Sequence, residues 1–138
     1  MRKILSLLLS LVMVLSMLTP IAFAEDTASY PEGTIIIPLG DDGRPTAASG
    51  TGWTYSDDTL TLNEGKFAVN GSCTAEVYNR AVIVGGIYDG KVYNRDRDDT
   101  KTAVCGTIDG GTFNSDVDSY HPWVKCTINA GIFNSGSY

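Results

Sequence analysis

The chain has few of the residues from which catalytic centres and metal sites are usually built. Its 138 residues include one histidine and three cysteines. His121 by itself supports no catalytic role, because no serine or cysteine nucleophile can be placed beside it from the sequence. Neither an EF-hand nor a glycine-rich calcium-binding nonapeptide is present. The sequence therefore contains no motif that identifies an activity by itself.

Positive charge is also scarce, and the long apolar run is confined to the N-terminus. Two basic residues precede the apolar run at 4–18, and residues 22–24 (Ala-Phe-Ala) form a small-x-small cleavage site, so we predict a signal peptide at 1–24. Pro20 and the short run disfavour a membrane anchor. Without this segment the chain has 10 − 2 = 8 basic and 16 acidic side chains, a net charge of −8. That balance argues against nucleic acid and membrane partners and favours a secreted or cell-surface protein.

What the sequence does contain is a repeat. In each copy an aliphatic residue precedes a glycine by three positions, and an aromatic residue follows that glycine by two. The intervals between the shared glycines are 21, 25 and 20 residues. A period near twenty residues is typical of a solenoid. The copies and their shared glycines are 62–69 with Gly65 (the weakest), 83–90 with Gly86, 108–115 with Gly111, and 128–135 with Gly131.

The composition of the repeat predicts strands. Val, Ile, Thr, Tyr and Phe suit a pleated surface, and Gly or Asn interrupts each copy where a sharp corner needs left-handed backbone. We predict an all-β fold, a parallel β-helix of about four turns at residues 50–138, with equivalent residues stacked about 4.8 Å apart. The predicted core has an aliphatic ladder and an aromatic ladder: Leu62, Ile83, Ile108 and Ile128, and Phe67, Tyr88, Phe113 and Phe133.

An antiparallel array of β-hairpins stays open as an alternative fold. Asn70-Gly71 and Asp89-Gly90 are both good two-residue hairpin turns. They lie at different distances from the shared glycine, six and four residues, whereas a hairpin array should keep its turns in phase. This difference favours the parallel fold.

The segments around the repeat have their own signals. Residues 25–49 are predicted to be a short strand, 34–38, set in a flexible linker. Alternating apolar residues at 53–62 around a Ser-Asp-Asp turn predict a hairpin that caps the first repeat. The longest interval has about five surplus residues, which we place in a loop at 94–101.

Two motifs together resemble a known group of proteins. Gly-Trp-x-Tyr at 52–55 is followed by Thr-Leu-Thr-Leu-Asn at 59–63 and by Ile-x-Gly-Gly-x-Phe-Asn repeats. This combination is similar to secreted repeat proteins of Gram-positive, clostridial-type gut bacteria, and the resemblance covers about residues 50–138. It implies a right-handed parallel β-helix and a carbohydrate-binding or surface role. It supplies no catalytic motif.

The candidate ligand-binding residues are Tyr120, His121 and Trp123. Aromatic faces stack on sugar rings, and the polar tips of Tyr and Trp make hydrogen bonds. The expected partner is a polysaccharide or a cell-surface glycan. The structural alternative is a corner that directs Trp123 into the next strand.

Carboxylates offer weaker candidates. Asp96, Asp98 and Asp99 are hard oxygen ligands suited to Ca²⁺, but neighbouring basic residues cancel their charge, which favours a solvated loop without a cofactor. Because polysaccharide lyases and hydrolases also use parallel β-helices, Asp109 and Asp116 are candidates for a catalytic pair. Asp109 is replaced by Val and Asn in the other copies, which indicates a permissive outward position. A structural spacer of a larger surface protein is a further alternative.

Three cysteines in an exported chain leave at least one unpaired. Cys105 precedes its repeat glycine by six residues, and Cys126 precedes its own by five. Because side chains alternate along a strand, this offset predicts that the two point to opposite faces, which disfavours a bridge and leaves the disulfide state open. Cys126 is expected to be a small buried residue.

Overall fold

The computed structural model describes residues 29–98 and 100–135, which form an all-β fold. No helix occurs among these residues, so none of them belongs to a helix able to cross a membrane. The predicted all-β class is confirmed. The predicted signal peptide at 1–24 lies outside the described residues.

Fifteen short strands lie in the described part of the chain. They are β1 Thr34–Pro38, β2 Ser49–Gly50, β3 Trp53–Ser56, β4 Thr59–Leu62, β5 Lys66–Asn70, β6 Ser72–Cys73, β7 Glu76–Asn79, β8 Val82–Ile83, β9 Ile87–Tyr88, β10 Val92–Tyr93, β11 Thr107–Ile108, β12 Thr112–Phe113, β13 Val117–Asp118, β14 Thr127–Ile128 and β15 Ile132–Phe133.

These strands form three sheets. The first sheet has the order β1-β5-β8-β11-β14, the second β6-β9-β12-β15, and the third β2-β3-β4-β7-β10-β13. From β5 onward the chain enters the first, second and third sheets in that order and then repeats the cycle. All strand pairings are parallel except β2 with β3 and β3 with β4. The described residues therefore do not form an antiparallel hairpin array.

The register shows that the repeat is shorter than the glycine spacing indicates. In the first sheet Lys66 pairs with Val82, Val82 with Thr107, and Thr107 with Thr127, at separations of 16, 25 and 20 residues. In the second sheet the first separation is only 15 residues, from Ser72 to Ile87. The longer units therefore carry about ten and five additional residues.

The aromatic ladder forms for three of its four predicted members. Tyr88, Phe113 and Phe133 stack along the second sheet with ring centroids 5.2 and 5.1 Å apart. Tyr88 and Phe113 are buried, and Phe133 is half-buried against the same core. Phe67 is buried too, but it pairs with Ile83 in the first sheet, and Cys73 takes the place beside Tyr88.

The aliphatic ladder is corrected in the same way. Ile83 and Ile108 are fully buried in the first sheet, whereas Leu62 is buried in the third sheet opposite Asn79. Ile128 is 39% exposed, because β14 is the edge strand of the first sheet in the described residues. The copy at 62–69 is out of register with the other copies, because its aromatic residue is buried from the first sheet and theirs lie in the second.

The glycine corners are placed as predicted for the three strong copies. Gly86, Gly111 and Gly131 each precede a strand of the second sheet and have φ of +101°, +114° and +149°. In the first unit the equivalent corner is Gly71, with φ of +110°, and not Gly65. Left-handed backbone at these positions favours glycine because it has no Cβ.

The N-terminal elements close one end of the sheets. The predicted hairpin is confirmed as β3–β4, with Asp57 and Asp58 in the left-handed region at its turn. The predicted strand 34–38 is β1, which pairs along its whole length with β5. Its Ile37 is fully buried in the shared core, so β1 packs with the repeat.

Candidate functional site

Two long loops leave the same corner of the fold. Only residues 80–81 separate β7 from β8, whereas residues 94–106 separate β10 from β11 and residues 119–126 separate β13 from β14. All three connections run from the third sheet to the first. The surplus of the two long units lies in these segments, which we call the corner loops. The predicted loop at 94–101 lies inside the first corner loop.

A disulfide joins the corner loops. Cys105 and Cys126 are bonded, with their Cα atoms 4.8 Å apart. The prediction that they face opposite ways was wrong, because both precede the strands β11 and β14 and the alternation of strand side chains does not apply to them. Cys126 is half-buried, and Cys73 is the buried free thiol. The bridge holds each loop against the other.

Buried asparagines hold the start of the first corner loop and join it to the start of the second. The Asn79 Nδ2 group donates to Asn94 Oδ1 at 2.7 Å, and the Asn94 Nδ2 group donates to Ser119 Oγ at 3.0 Å. Both asparagines are fully buried. A Cβ on Gly106 would lie within 2.6 Å of both, so a glycine is needed where the first loop returns. Paired amides of this kind stabilise a single loop conformation because their unpaired alternatives are costly.

The second corner loop presents two of the three predicted ligand-binding residues to solvent. Tyr120 is 67% exposed and Trp123 is 55% exposed. His121 is buried instead, with its ring edge-on to Trp123 at a centroid distance of 5.9 Å. The Trp123 backbone N–H donates to His121 Nδ1 at 3.3 Å. His121 therefore supports the loop that displays Trp123.

A tyrosine pair that sequence reasoning missed lies on the outer face of the third sheet. The rings of Tyr78 and Tyr93 are parallel within 6° with centroids 4.5 Å apart. Lys91 Nζ lies 4.7 Å from the Tyr93 centroid, and the Arg97 guanidinium lies 5.3 Å from the Tyr78 centroid. Cations over aromatic faces are attracted by the ring quadrupole. We call these four residues the tyrosine face.

The missed residues had a signal in the sequence. The tetrapeptide Val-Tyr-Asn-Arg occurs at 77–80 and again at 92–95, fifteen residues apart. It supplies both tyrosines of the tyrosine face and both buried asparagines. This spacing of fifteen residues equals the length of the shortest unit, from Ser72 to Ile87. The glycine motif does not repeat at that interval.

Contacts connect the tyrosine face to the second corner loop. Arg95, whose guanidinium lies 5.4 Å from the Tyr93 centroid, pairs with Asp118 at 3.2 Å. The other carboxylate oxygen of Asp118 accepts the Tyr120 backbone N–H at 3.2 Å. A chain of polar contacts therefore runs from the tyrosine face to the backbone of the second corner loop.

The two predicted calcium ligands in the described residues, Asp96 and Asp98, do not belong to a cluster of possible metal ligands there. Asp96 pairs with Arg80 at 3.3 Å and accepts the Arg97 backbone N–H at 2.8 Å. Asp98 is exposed, and Asp99 lies outside the described residues. Within residues 29–98 and 100–135, no three His, Cys, Asp or Glu side chains are grouped to hold a metal ion.

The considered catalytic carboxylates bond to separate partners. Asp109 accepts a hydrogen bond from the Asn129 amide at 2.7 Å, and Asp116 accepts one from the Ser135 hydroxyl at 2.7 Å. Each lies in a cross-strand contact between neighbouring units, which is a structural setting for a carboxylate.

A shallow groove of about 550 Å³ lies at the corner between the first and second sheets. Its floor contains Gly85, Gly86, Gly110 and Gly111, and the Tyr30 ring covers Gly85 so closely that a Cβ there would clash with it. The groove contains none of the predicted ligand-binding residues.

No family model matches the chain, and no curated protein or solved structure matches it either. The function is therefore inferred from the residues of the site itself.

Proposed function

We propose that this chain is a secreted or cell-surface carbohydrate-binding module, built as a right-handed parallel β-helix, whose second corner loop binds a glycan. The observation that carries the proposal is the exposure of Tyr120 and Trp123 on a loop tied down at several points. Exposed aromatic side chains in such a position keep apolar surface in contact with water and add nothing to the core. Sugar rings offer a matching apolar face with hydroxyls around it.

The attachment of the loop favours binding without a large ordering cost. The disulfide, the Asn94–Ser119 hydrogen bond and the Asp118–Tyr120 contact restrain residues on both sides of the aromatics. Affinity rises when a binding loop is already ordered before the ligand arrives. The disulfide also suits an oxidising compartment, which supports secretion.

The β-helix proposal is supported by the order in which the chain enters its sheets. Equivalent strands of successive units pair in parallel in all three sheets. Short parallel strands stacked unit on unit are the arrangement expected of a parallel solenoid. The handedness is proposed from the resemblance of the repeat motifs to those of secreted β-helix proteins.

The test is glycan binding by the full chain, with immobilised neutral and acidic polysaccharides, in Ca²⁺ and in a chelator. We expect Trp123→Ala to weaken the binding of a recognised polysaccharide about tenfold, on the scale of one aromatic contact. Ile132→Ala is the matched control, because Ile132 is 61% exposed on the second sheet, away from the loop.

Three outcomes would contradict the proposal. Absence of binding to every polysaccharide favours a structural spacer. Equal losses in Trp123→Ala and Ile132→Ala indicate non-specific apolar adhesion. New reducing ends released from the polysaccharide indicate an enzyme.

A further inference from the structure

We propose that the tyrosine face is a second binding surface, which holds an uncharged polysaccharide chain laid across the strands towards Tyr120. The inference rests on the proposed function and extends it, because it names the class and the length of the ligand. The tyrosine face contacts one part of the polysaccharide, and the second corner loop contacts another part.

The first support is a cross-strand row of outward side chains on the third sheet. In register, Thr61 of β4 lies beside Tyr78 of β7, Tyr78 beside Tyr93 of β10, and Tyr93 beside Asp118 of β13. Parallel strands are about 4.8 Å apart, so four strands span roughly 14 Å. A row of that length contacts several sugar rings of a chain and exceeds what a single sugar covers.

The second support is that the core does not require these tyrosines. The inward residues Leu60, Val77, Val92 and Val117 fill the interior of the same strands and are 0–1% exposed. Tyr78 and Tyr93 point the other way and are half-buried. A half-buried position on the outer face accepts many residue types, so the core does not account for two stacked tyrosines there.

The third support is the hydrogen-bonding capacity of the row. Phenol and threonine hydroxyls both donate and accept, Lys91 and Arg97 donate, and the Asp118 carboxylate accepts. An ordinary tyrosine is already protonated at neutral pH, and burial raises the pKa of the Tyr78 phenol further, so this phenol is a donor there. Sugar hydroxyls likewise donate and accept, so the hydroxyls of Thr61, Tyr78 and Tyr93 along the row match them.

The charge balance favours an uncharged ligand. Three basic side chains lie over the tyrosine rings, namely Lys91, Arg95 and Arg97. Three acidic side chains act electrostatically on these residues or on Tyr78, so the net charge of the set is zero; they are Glu76, Asp116 and Asp118. An anionic polymer would gain no overall attraction from such a surface.

The geometry also predicts how the two parts share the contacts. The tyrosine rings stack on each other, with cations over them, so their hydroxyls and edges are the parts offered to a ligand. Trp123 on the corner loop, at 55% exposure, offers a ring face. The tyrosine face therefore supplies hydrogen bonds and the loop supplies stacking.

The test uses the full chain and soluble probes: a neutral β-glucan, a neutral mannan, their monosaccharides, and polygalacturonate as the anionic probe. Tyr78→Phe and Tyr93→Phe remove one hydroxyl each and keep the ring stack. We expect each to weaken binding of a neutral polysaccharide about threefold and the double variant about tenfold, with an unchanged melting temperature. Thr112→Val, which removes a hydroxyl from the outward row of the second sheet, should have no effect.

The results that overturn the inference differ from those that overturn the proposed function. Unchanged polysaccharide binding in the double variant, with binding still weakened by Trp123→Ala, removes the tyrosine face and leaves the corner loop. Monosaccharide binding as tight as that of the polymer would refute an extended site. Preference for polygalacturonate that disappears in salt would refute an uncharged ligand. If neither Trp123→Ala nor the double variant changes binding, both proposals fail.

Discussion

Two aromatic stacks run across parallel strands in this protein, one inside the core and one on the surface. Tyr88, Phe113 and Phe133 stack inside at 5.2 and 5.1 Å, and Tyr78 and Tyr93 stack outside at 4.5 Å. Ring planes are parallel within 10° in both, because the strand spacing sets the distance between equivalent side chains. What differs is the environment, and this decides what each stack contributes.

The inner stack contributes stability. Phe113 is fully buried between two aromatic neighbours, and the Tyr88 hydroxyl donates to the Gly85 carbonyl at 3.0 Å, which satisfies the buried phenol. Cys73 continues the ladder beside Tyr88. The outer stack is only half-buried and has charged partners, so its loss should change binding more than folding.

The largest loss of stability is expected from a change in the inner stack. Phe113→Ala should lower the free energy of unfolding by about 3–5 kcal/mol, because it removes a buried aromatic and leaves a cavity. Urea unfolding followed by circular dichroism measures this, with Phe113→Leu as the milder control. A loss below about 1 kcal/mol would mean that the inner stack is solvated.

The second effect concerns the corner loops that border the outer stack. Replacing Cys105 and Cys126 by Ser should cost about 3 kcal/mol, because the bridge closes a segment with a sequence separation of 21. Reductant should destabilise the parent protein by the same amount and leave the double variant unchanged. Equal melting of parent and variant without reductant would contradict the bridge.

Alkaline pH should destabilise the inner ladder next. Burial raises the pKa of the Cys73 thiol to about 11 from its ordinary value of 9.0, so above pH 9 the unfolded chain releases a proton that the folded chain retains. The contribution of the buried thiol to the free energy of unfolding is present in full below pH 9. It falls by about 2–3 kcal/mol as the pH rises to 11. Burial also raises the pKa of Tyr88, which steepens the loss above pH 10. Denaturant titrations at each pH should show a shallower decline in Cys73→Ala.

The smallest loss of stability is expected from a change in the outer stack. Tyr93→Ala removes one ring of the outer stack and should cost about 0.5–1.5 kcal/mol, the usual range for an aromatic pair. The same urea titration measures it beside Phe113→Ala. A cost equal to that of Phe113→Ala would place the outer stack among the determinants of folding.

Much of the fold was predictable from one motif. The pattern of an aliphatic residue, a glycine and an aromatic residue predicted the all-β class, the left-handed corners at Gly86, Gly111 and Gly131, and the stacking of Tyr88 with Phe113 and Phe133. Such features follow from local chemistry, since only glycine accepts these φ values readily and buried aromatics recur with the unit.

The candidate site was less predictable. Tyr120 and Trp123 were chosen because they interrupt the repeat, and both are exposed, whereas His121 is buried within the loop. The tyrosine face was missed because Val-Tyr-Asn-Arg repeats at fifteen residues, out of step with the glycine motif. The two motifs repeat at different intervals, so the period of the glycine motif does not indicate that of Val-Tyr-Asn-Arg.

By itself the sequence determined which residues prefer strands and corners, and which recur in the core. Only the tertiary structure decided the register, and with it that Phe67 faces Ile83 and that Cys73 lies beside Tyr88. It also decided that Cys105 meets Cys126. The physical reason is that pairing between distant strands, and the return of two loops to one corner, depend on how all the units fill one core together.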